Sequence, residues 1–365
     1  MTSQPGANQA ASPRSAGGRH DAPGLRGCPR PLSEMYDTAL LDLDGVVYLG
    51  GAGIPGAAEA LHKVAAAGMG LAYVTNNASR TPRAIAEQLA ALGVPVRPGS
   101  VITSAHAAAR VLSERLPPGA PVLVIGGSGL RLAVRERGLR PVTTAADRPA
   151  AVVQGYAPDV GYLLLAEGAL AVAAGALFVA SNADATLPTS RGRQPGNGSM
   201  IQVIVTATGR QPIVAGKPEP PMHAEAVRRA GARRPLIVGD RLDTDIEAAN
   251  RVGADSLLVL TGVSRPSDVV LAPPPRRPAY VAADLTGLLE AHSVPSGRPN
   301  EPFSCDGWQA RWVAEGDASG PRERVSLTGS GNRINALRVL CAASWSRGSV
   351  TFDMIADALA VPGLE

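Results

Sequence analysis

At 365 residues the chain exceeds the roughly 250 to 300 residues that one hydrophobic core supports, so we expect two or three folded units. Its 35 lysines and arginines are spread along the chain among 31 acidic residues, which argues against a nucleic-acid-binding surface. The three cysteines show no CxxC spacing, so neither a disulfide framework nor a zinc site is indicated, and a reducing cytoplasm is expected.

Residues 1–34 form the first segment, which is rich in Ser, Pro, Gly and Arg and has no apolar run. Such a composition predicts a disordered N-terminal tail and not a signal peptide. We therefore expect that a chain beginning at Met35 would lose nothing of the fold.

From residue 36 to about residue 260, buried strands alternate with amphipathic helices. The strand segments include "DTALLDLD", "LAYVTNN", "VLVIGG", "AVVQGY", "LFVASN", "PIVAGKP", "PLIVGD" and "DSLLVLTG". Strands that alternate with helices and have continuous apolar runs are typical of parallel α/β sheets buried on both faces. Residues 293–302 are rich in Pro, Gly and Ser and indicate a linker. Beyond them, 303–365 predict a hairpin followed by a helix, a small C-terminal α/β extension.

The most apolar stretch, from Leu163 to Ser181, reaches the length of a membrane span. It carries Glu167 and two glycines, and its pattern favours a helix that ends near Gly175 and a buried strand after it. We expect no membrane partner.

Four polar clusters each follow the carboxyl end of a predicted buried strand, the edge at which open parallel sheets bind ligands. They are Asp42 with Asp44; Thr75 with Asn76 and Asn77; Lys217; and Asp240 with Asp243 and Asp245. Each alone could be a turn or a helix cap, and we favour a capping role for Asp243. Two like charges as close as Asp42 and Asp44 require a cation, a shared proton or a substrate to compensate them.

The motifs "DLDGVVY", "TNNAS", "GKP" and "GDRLDTDI" resemble, in this order, the four motifs of the haloacid dehalogenase superfamily of phosphotransferases. The likeness spans roughly residues 36–290 and extends to the type IIA capped phosphatases, among them bacterial glycerol-3-phosphate phosphatases with a C-terminal extension. It implies an α/β fold: a Rossmann-like parallel-sheet core over 35–104 and 213–292, with an inserted α/β cap over 105–212.

The resemblance also implies roles for the aspartates. Asp42 would be the nucleophile that forms an aspartyl-phosphate, and Asp44 would be the general acid and base. Mg²⁺ would bind the Asp42 carboxylate, the Asp44 backbone carbonyl and Asp240, an all-oxygen set that suits a hard cation.

For the other motif residues the resemblance implies contacts with the phosphoryl group. Thr75 and Asn76 would donate hydrogen bonds to its oxygens, and Lys217 would neutralise the charge that develops in the transition state. Asp245 would lie behind the metal ligands and orient metal-bound waters or the lysine.

The cap loop within residues 180–210 resembles the substrate-specificity loop of the family. Its candidate specificity residues are Asp184, Leu187, Arg191 and Arg193, and it contains no aromatic residue or histidine. Flat leaving groups usually require a stacking partner, so a small polyol phosphate is favoured, above all glycerol 3-phosphate. Phosphoglycolate is the alternative, because Arg191 or Arg193 could bind its carboxylate.

Two other classes of protein stay open. The glycine turn in "VLVIGGSGLRLAV" is similar to a dinucleotide-binding turn, although Leu132 stands where such a motif needs glycine or alanine. A catalytically silent scaffold, with the extension as its interaction surface, is the second. The expected partner is a small phosphomonoester, with no nucleic acid, and the sequence leaves homo-oligomerisation open.

Overall fold

A computed structural model describes residues 24–189, 191–317 and 320–361, and it contains two parallel sheets flanked by helices and a smaller antiparallel unit. Both parallel sheets have continuous buried strands, as two-sided burial requires. The α/β architecture confirms the predicted fold class, a parallel-sheet core with a second α/β layer inserted and a C-terminal α/β unit.

The helices and strands follow one another in four segments of the chain. The first contains α1 Leu32–Met35, β1 Thr38–Leu41, β2 Tyr48–Leu49, β3 Ala52–Gly53, α2 Ala57–Ala66, β4 Gly70–Thr75, α3 Pro82–Ala91, β5 Val101–Thr103 and α4 Ser104–Ser113. The second contains β6 Pro121–Ile125, α5 Ser128–Glu136, β7 Arg140–Val142, β8 Ala151–Gln154, α6 Tyr162–Ala173, β9 Leu177–Ala180, β10 Thr186–Thr189, β11 Gly192–Pro195, α7 Asn197–Thr208 and β12 Ile213–Val214.

The third and fourth segments complete the chain. The third contains α8 Pro220–Ala230, β13 Pro235–Gly239, a π-helical turn Leu242–Ile246, α9 Glu247–Arg251, β14 Asp255–Val259, α10 Pro266–Val270 and β15 Tyr280–Ala282. The fourth contains β16 Phe303–Cys305, β17 Trp308–Asp317, β18 Gly320–Gly329, α11 Arg333–Trp345 and α12 Ala356–Leu359. Short 3₁₀ helices cover Ala145–Asp147, Pro274–Arg276, Leu285–Leu289 and Phe352–Met354.

The larger sheet, which we call the core sheet, has the strand order β15-β14-β13-β1-β4-β5, with every neighbouring pair parallel. The cap sheet has the order β12-β9-β8-β6-β7 and is also parallel. In the core sheet β1 lies between β13 and β4, in register from Thr38 with Pro235 and Gly70. The carboxyl ends of these three strands therefore lie side by side.

Helix α4 joins the two sheets, because it packs against α5 of the cap and α8 of the core. Strands of both sheets, α4 and α8 contribute to one buried hydrophobic cluster. The strand Ile213–Val214 hydrogen-bonds to β9, so it extends the cap sheet, although the sequence predicted it as the start of the second core segment. The chain returns to the core only after this strand. A short apolar run does not indicate which sheet it will pair with, because that depends on tertiary packing.

The end of the predicted disordered tail differs from the expectation. Within residues 24–34, the backbone N–H of Cys28 donates to the carbonyl of His292 at 2.7 Å, and Leu32 is fully buried against the core. A chain beginning at Met35 would therefore lose core contacts, because a segment distant in sequence pairs with it. Residues 1–23 lie outside the described range.

The C-terminal extension forms an antiparallel three-stranded sheet, β16-β17-β18, covered by α11. Its apolar side chains share one buried cluster with core residues that include Leu258, Val269 and Val281. The buried Arg338 donates to the carbonyl of Val281 at 3.0 Å. The extension is thus packed onto the core sheet and is not an isolated unit.

The apolar stretch near Leu163 divides as predicted into helix α6 and the buried strand β9. In the part of the chain that the structure describes, no helix has both the length and the apolar character needed to cross a bilayer.

Candidate active site

The motif residues meet at the carboxyl edge of the core sheet. Asp42 follows β1, Thr75 ends β4 and Asp240 follows β13, three adjacent strands of that sheet. Lys217 reaches the same place from the turn after β12, where the chain passes from the cap to the core. Four sequence segments that are separated by up to about two hundred residues therefore form one crevice, as the sheet topology predicts.

Lys217 lies at the centre of this crevice and is only 4% exposed. Its ammonium group donates to Asp42 Oδ1 at 2.6 Å, to Asp245 Oδ1 at 2.7 Å and to the carbonyl of Val74 at 3.2 Å. Burial alone would lower its pKa, but the carboxylates of Asp245 and Asp42 raise it above its ordinary value. The lysine is consequently a fixed positive charge.

Three carboxylates lie together here: those of Asp42, Asp240 and Asp245 offer oxygens within 4.8 Å of one another. Asp42 and Asp245 pair with Lys217. Burial, with the charges of Asp245 and Asp240, raises the pKa of Asp42 to about 8, against the opposing effect of Lys217. Burial, with the charge of Asp245, raises the pKa of Asp240 to about 6. Three negative charges against one positive charge leave the ionised cluster short of two positive charges.

The donor set fits a divalent cation. Asp240 Oδ2 accepts from the backbone N–H of Val263 at 2.7 Å, whereas Asp240 Oδ1 is buried without a hydrogen-bond partner among the described residues. A Cβ on Gly262 would lie 2.0 Å from Asp240 Oδ2, and one on Gly45 would lie 2.4 Å from it. The carboxylate of Asp240 thus occupies space that side chains at positions 45 and 262 would fill. Its unpartnered oxygen remains available to a hard cation.

Asp44 lies at the mouth of the crevice, and its side chain reaches the surface. Partial desolvation raises its pKa, while a hydrogen bond with Tyr48 and the charge of Lys217 oppose the shift. A carboxyl group with a raised pKa that is open to solvent can hold a proton and exchange it with substrate or water.

In the loop after β4, the amide side chain of Asn76 is already bound. Its Nδ2 donates to the carbonyl of Lys217 at 3.1 Å and to Asp184 Oδ2 at 3.2 Å, and its Oδ1 accepts from the Lys217 N–H at 2.8 Å. The side chain therefore holds the lysine turn in place, a role that its position in the motif did not indicate. Thr75 is buried, and its Oγ1 accepts from the N–H of Asn77 at 3.1 Å.

The four candidate specificity residues occupy different places. Only Asp184 is in contact with the crevice, through Asn76. Leu187 lies in the hairpin β10–β11, opposite Gln194, and is half-buried, while Arg191 and Arg193 are exposed in the same hairpin. The structure thus joins one of these residues to the motif cluster and leaves both arginines at the surface.

Two residues near the cluster were missed by sequence reasoning. Arg241 forms two hydrogen bonds with Asp243, at 3.0 Å and 2.9 Å. Among the residues that the structure describes, no side chain caps the helical turn Leu242–Ile246. The capping role that we favoured for Asp243 is therefore wrong, and its carboxylate pairs with Arg241 instead. His223 is buried on α8, and burial with the charge of Lys217 lowers its pKa to about 4. Neither residue carries a spacing signal, because each reaches the site only through the packing of the turn or of α8.

Comparisons with known families agree with this geometry. A profile of haloacid dehalogenase-like hydrolases matches residues 39–140, and a second HAD-hydrolase-like profile matches residues 214–288. The two matches flank most of the cap and include all four motif clusters.

The chain is similar to two named phosphatases over most of its length. It is 43% identical over 318 residues to the D-glycerol 3-phosphate phosphatase of Mycobacterium tuberculosis, covering 87% of this chain and 88% of that protein. It is 39% identical over 258 residues to an acid sugar phosphatase of Staphylococcus aureus, covering 70% and 98%. A crystal structure of the mycobacterial glycerol phosphate phosphatase in complex with magnesium superposes with a TM-score of 0.79 at 40% identity, covering 92% of this chain and 100% of that chain.

Proposed function

The chain belongs to the haloacid dehalogenase-like hydrolases, and from this premise we propose that it is a Mg²⁺-dependent phosphatase of small polyol phosphates, above all glycerol 3-phosphate. The enzyme class follows from the family and from the phosphatases that the chain resembles. The residue roles and the substrate are our proposal, and the buried carboxylate cluster around Lys217 carries it.

A scaffold protein would gain nothing from this cluster. Burying carboxylates without enough compensating charge costs several kcal/mol per ion on the usual scale, so such a cluster persists where a cation or an anionic substrate completes it. A divalent cation supplies the two positive charges that Asp42, Asp240 and Asp245 lack beside Lys217.

The proposed reaction proceeds in two steps on Asp42. Its carboxylate oxygen attacks phosphorus, the bond from phosphorus to the ester oxygen breaks, and Asp44 gives its proton to the leaving oxygen. Asp44 then takes a proton from water, whose oxygen attacks phosphorus and releases inorganic phosphate together with the Asp42 carboxylate. Lys217, held at 2.6 Å from Asp42 Oδ1, keeps this oxygen oriented and offsets charge on the phosphoryl group.

The metal would be held by the carboxylates of Asp42 and Asp240 and by the backbone carbonyl of Asp44. When bound, Mg²⁺ supplies charge neutralisation at the phosphoryl oxygens. Asp245 is hydrogen-bonded to Lys217 and to the N–H of Arg241, so we assign it to orienting the lysine and not to direct ligation.

A small polyol leaving group agrees with the cap loop. No aromatic ring lies in the loop around Asp184, and the relatives act, by name, on glycerol 3-phosphate or sugar phosphates. Phosphoglycolate would require a cation beside its carboxylate, whereas Arg191 and Arg193 are exposed in the hairpin. We also place the enzyme in the cytoplasm, as three buried free thiols suggest.

The test is phosphate release from glycerol 3-phosphate, phosphoglycolate, pyridoxal phosphate and UMP under one Mg²⁺ concentration. We expect the highest kcat/KM for glycerol 3-phosphate. A tenfold preference for pyridoxal phosphate or UMP, about 1.4 kcal/mol in transition-state binding, would overturn the substrate assignment. Full activity in excess EDTA would overturn the metal requirement.

A further inference from the structure

The glycine turn Gly126–Gly129, which runs from the end of β6 into the first turn of α5 in the cap, has no part in the proposed reaction. In sequence it is similar to the turn that places a pyrophosphate at the start of a helix. In the structure the start of α5 is occupied by the core's own loop, which follows β4. The loop after β4 therefore occupies the space that a pyrophosphate would need at this turn. The interpretation of the motif as a dinucleotide-binding site is thereby excluded.

The contact between turn and loop is made by backbone atoms. The N–H of Gly129 donates to the carbonyl of Ser79 at 3.0 Å, and the hydroxyl of Ser128 lies 3.5 Å from the same oxygen. A Cβ on Gly127 would lie 2.6 Å from the carbonyl oxygen of Ser79, and a Cβ on Gly129 would lie 2.2 Å from that of Arg80. Neither position has a positive φ, so glycine is required for space and not for conformation.

On its other side, the same loop is tied to the catalytic crevice. The side chain of Asn77 accepts from the N–H groups of Ser79 and Arg80, at 3.0 Å and 3.1 Å. The N–H of Asn77 donates to Thr75 Oγ1 at 3.1 Å. A displacement of Ser79 or Arg80 by the cap would therefore be carried through Asn77 to Thr75.

We infer that Gly127 and Gly129 are positioning residues: their bare backbone lets the cap seat the loop 75–80 and so places Thr75 against the phosphoryl group. The inference rests on the proposed function and on the role that the family resemblance implies for Thr75, a hydrogen bond to a phosphoryl oxygen. It assigns the cap turn a task in the reaction step itself, in addition to any task of the cap in selecting the leaving group.

The experiment compares Gly129→Ala and Gly127→Ala with Gly161→Ala, all in the full-length enzyme with Mg²⁺. Gly161 precedes α6 in the same cap, has φ −100°, and its Cβ would meet nothing within 4 Å, so it is a matched control. We expect kcat to fall roughly 10- to 100-fold in Gly129→Ala and less in Gly127→Ala, because a shift of about 1 Å in a positioning group has such an effect. KM should change little. The melting temperature should fall in both variants relative to Gly161→Ala, because the backbone carbonyl that each new Cβ meets has to move.

A merely structural role predicts a lower melting temperature without a loss of kcat per folded molecule. If Gly129→Ala lowers the melting temperature but keeps kcat within threefold of Gly161→Ala, the inference is wrong. Should Gly129→Ala fail to fold, Gly127→Ala decides on the same threefold limit.

A double-mutant cycle with Asn77→Ala tests the route through the loop. If Gly129 acts through Asn77, the double variant should lose clearly less activity than the product of the two single losses, and multiplicative losses would refute that route. Wild-type turnover on the four phosphomonoesters is measured first, so that a failure of the proposed function is recognised separately from a failure of this inference.

Discussion

Two buried carboxylate clusters in this chain are compensated in opposite ways. In the crevice, the carboxylates of Asp42, Asp240 and Asp245 lie together, and Lys217 pairs with those of Asp42 and Asp245. About the fully buried Glu225 of α8, four arginines approach one carboxylate: Arg110 at 3.3 Å, Arg137 at 2.6 Å, Arg228 at 2.8 Å and Arg229 at 2.5 Å. The first cluster lacks positive charge and the second has an excess of it.

The difference appears in the pKa values. Burial alone would raise the pKa of Glu225, but its arginines lower it to about 2. Burial and neighbouring carboxylates raise the pKa of Asp42 to about 8, although Lys217 opposes the shift. A carboxylate with surplus compensation joins α4, the end of α5 and α8, and is part of the architecture. A carboxylate without enough compensation marks a place where the protein expects another charged species.

The largest contrast is expected from Asp42→Asn. The amide cannot attack phosphorus, so kcat should fall about 1,000-fold or more. The melting temperature without metal should hold or rise, because one of the crowded charges is removed. Phosphate release and thermal unfolding measure both effects. Asp243→Asn, which changes a carboxylate outside the cluster, is the control, and its kcat should stay within about threefold of the wild-type value. A rate above about a hundredth of wild type in Asp42→Asn would contradict the assignment of Asp42 as the nucleophile.

Glu225→Gln should show the reverse pattern, a loss of stability with kcat unchanged per folded molecule. Removing one partner of a buried ion pair typically costs about 3 kcal/mol, which here leaves four arginines crowded together. Urea denaturation gives the free energy of unfolding. Glu114→Gln is the matched control, since Glu114 is exposed and pairs with Arg110 on the helix surface at 2.7 Å, where the expected cost is below about 0.5 kcal/mol. Equal losses of unfolding free energy in Glu225→Gln and Glu114→Gln would contradict a structural role specific to the Glu225 cluster.

Magnesium should stabilise only through the crevice. At about one hundred times the dissociation constant, a ligand that binds the folded state alone adds about 2.7 kcal/mol. We expect Mg²⁺ to raise the melting temperature of the wild type and of Glu225→Gln alike. The shift should disappear in Asp240→Asn, which loses the unpartnered carboxylate oxygen; a full shift in that variant would place the metal elsewhere.

The smallest effect is the pH dependence of stability without metal. The pKa of Glu225 is lowered to about 2, so its contribution is present above about pH 4.5 and is lost as the pH falls toward 2. The pKa values of Asp240 and Asp42 are raised to about 6 and about 8, so their contribution is present below about pH 4 and is lost as the pH rises through those values. Unfolding free energies in EDTA should therefore rise with pH below 4 and fall above it, by at most about 1.4 kcal/mol per group and pH unit. A monotonic rise up to pH 8 would contradict the raised values.

The sequence was most informative where chemistry depends on strand ends. Asp42, Thr75 and Asp240 are each found where a short apolar run ends. Parallel strands bring their carboxyl ends to one edge of the sheet regardless of the length and conformation of the connecting loops. The alternation of strands and helices was equally readable, since burial on both faces forces continuous apolar segments.

Tertiary packing alone decided the contacts that cross the chain. Nothing in its local sequence distinguishes Glu225 from an exposed helix glutamate, because Arg110 and Arg137 come from α4 and the end of α5. The same holds for the binding of the Asn76 side chain to Lys217, 141 residues away, and for the pairing of Cys28 with His292.

What the sequence by itself determined is thus the class of fold, the crevice residues and the chemistry that they can perform, because periodicity and strand-end position are local properties. The tertiary structure decided which buried charges are compensated and which cap residues reach the crevice. It also decided which glycines are packed so closely against backbone atoms that they leave no room for a side chain. These depend on distances between elements far apart in the chain, and side-chain pKa values and close packing change within a few ångströms, which no local pattern encodes.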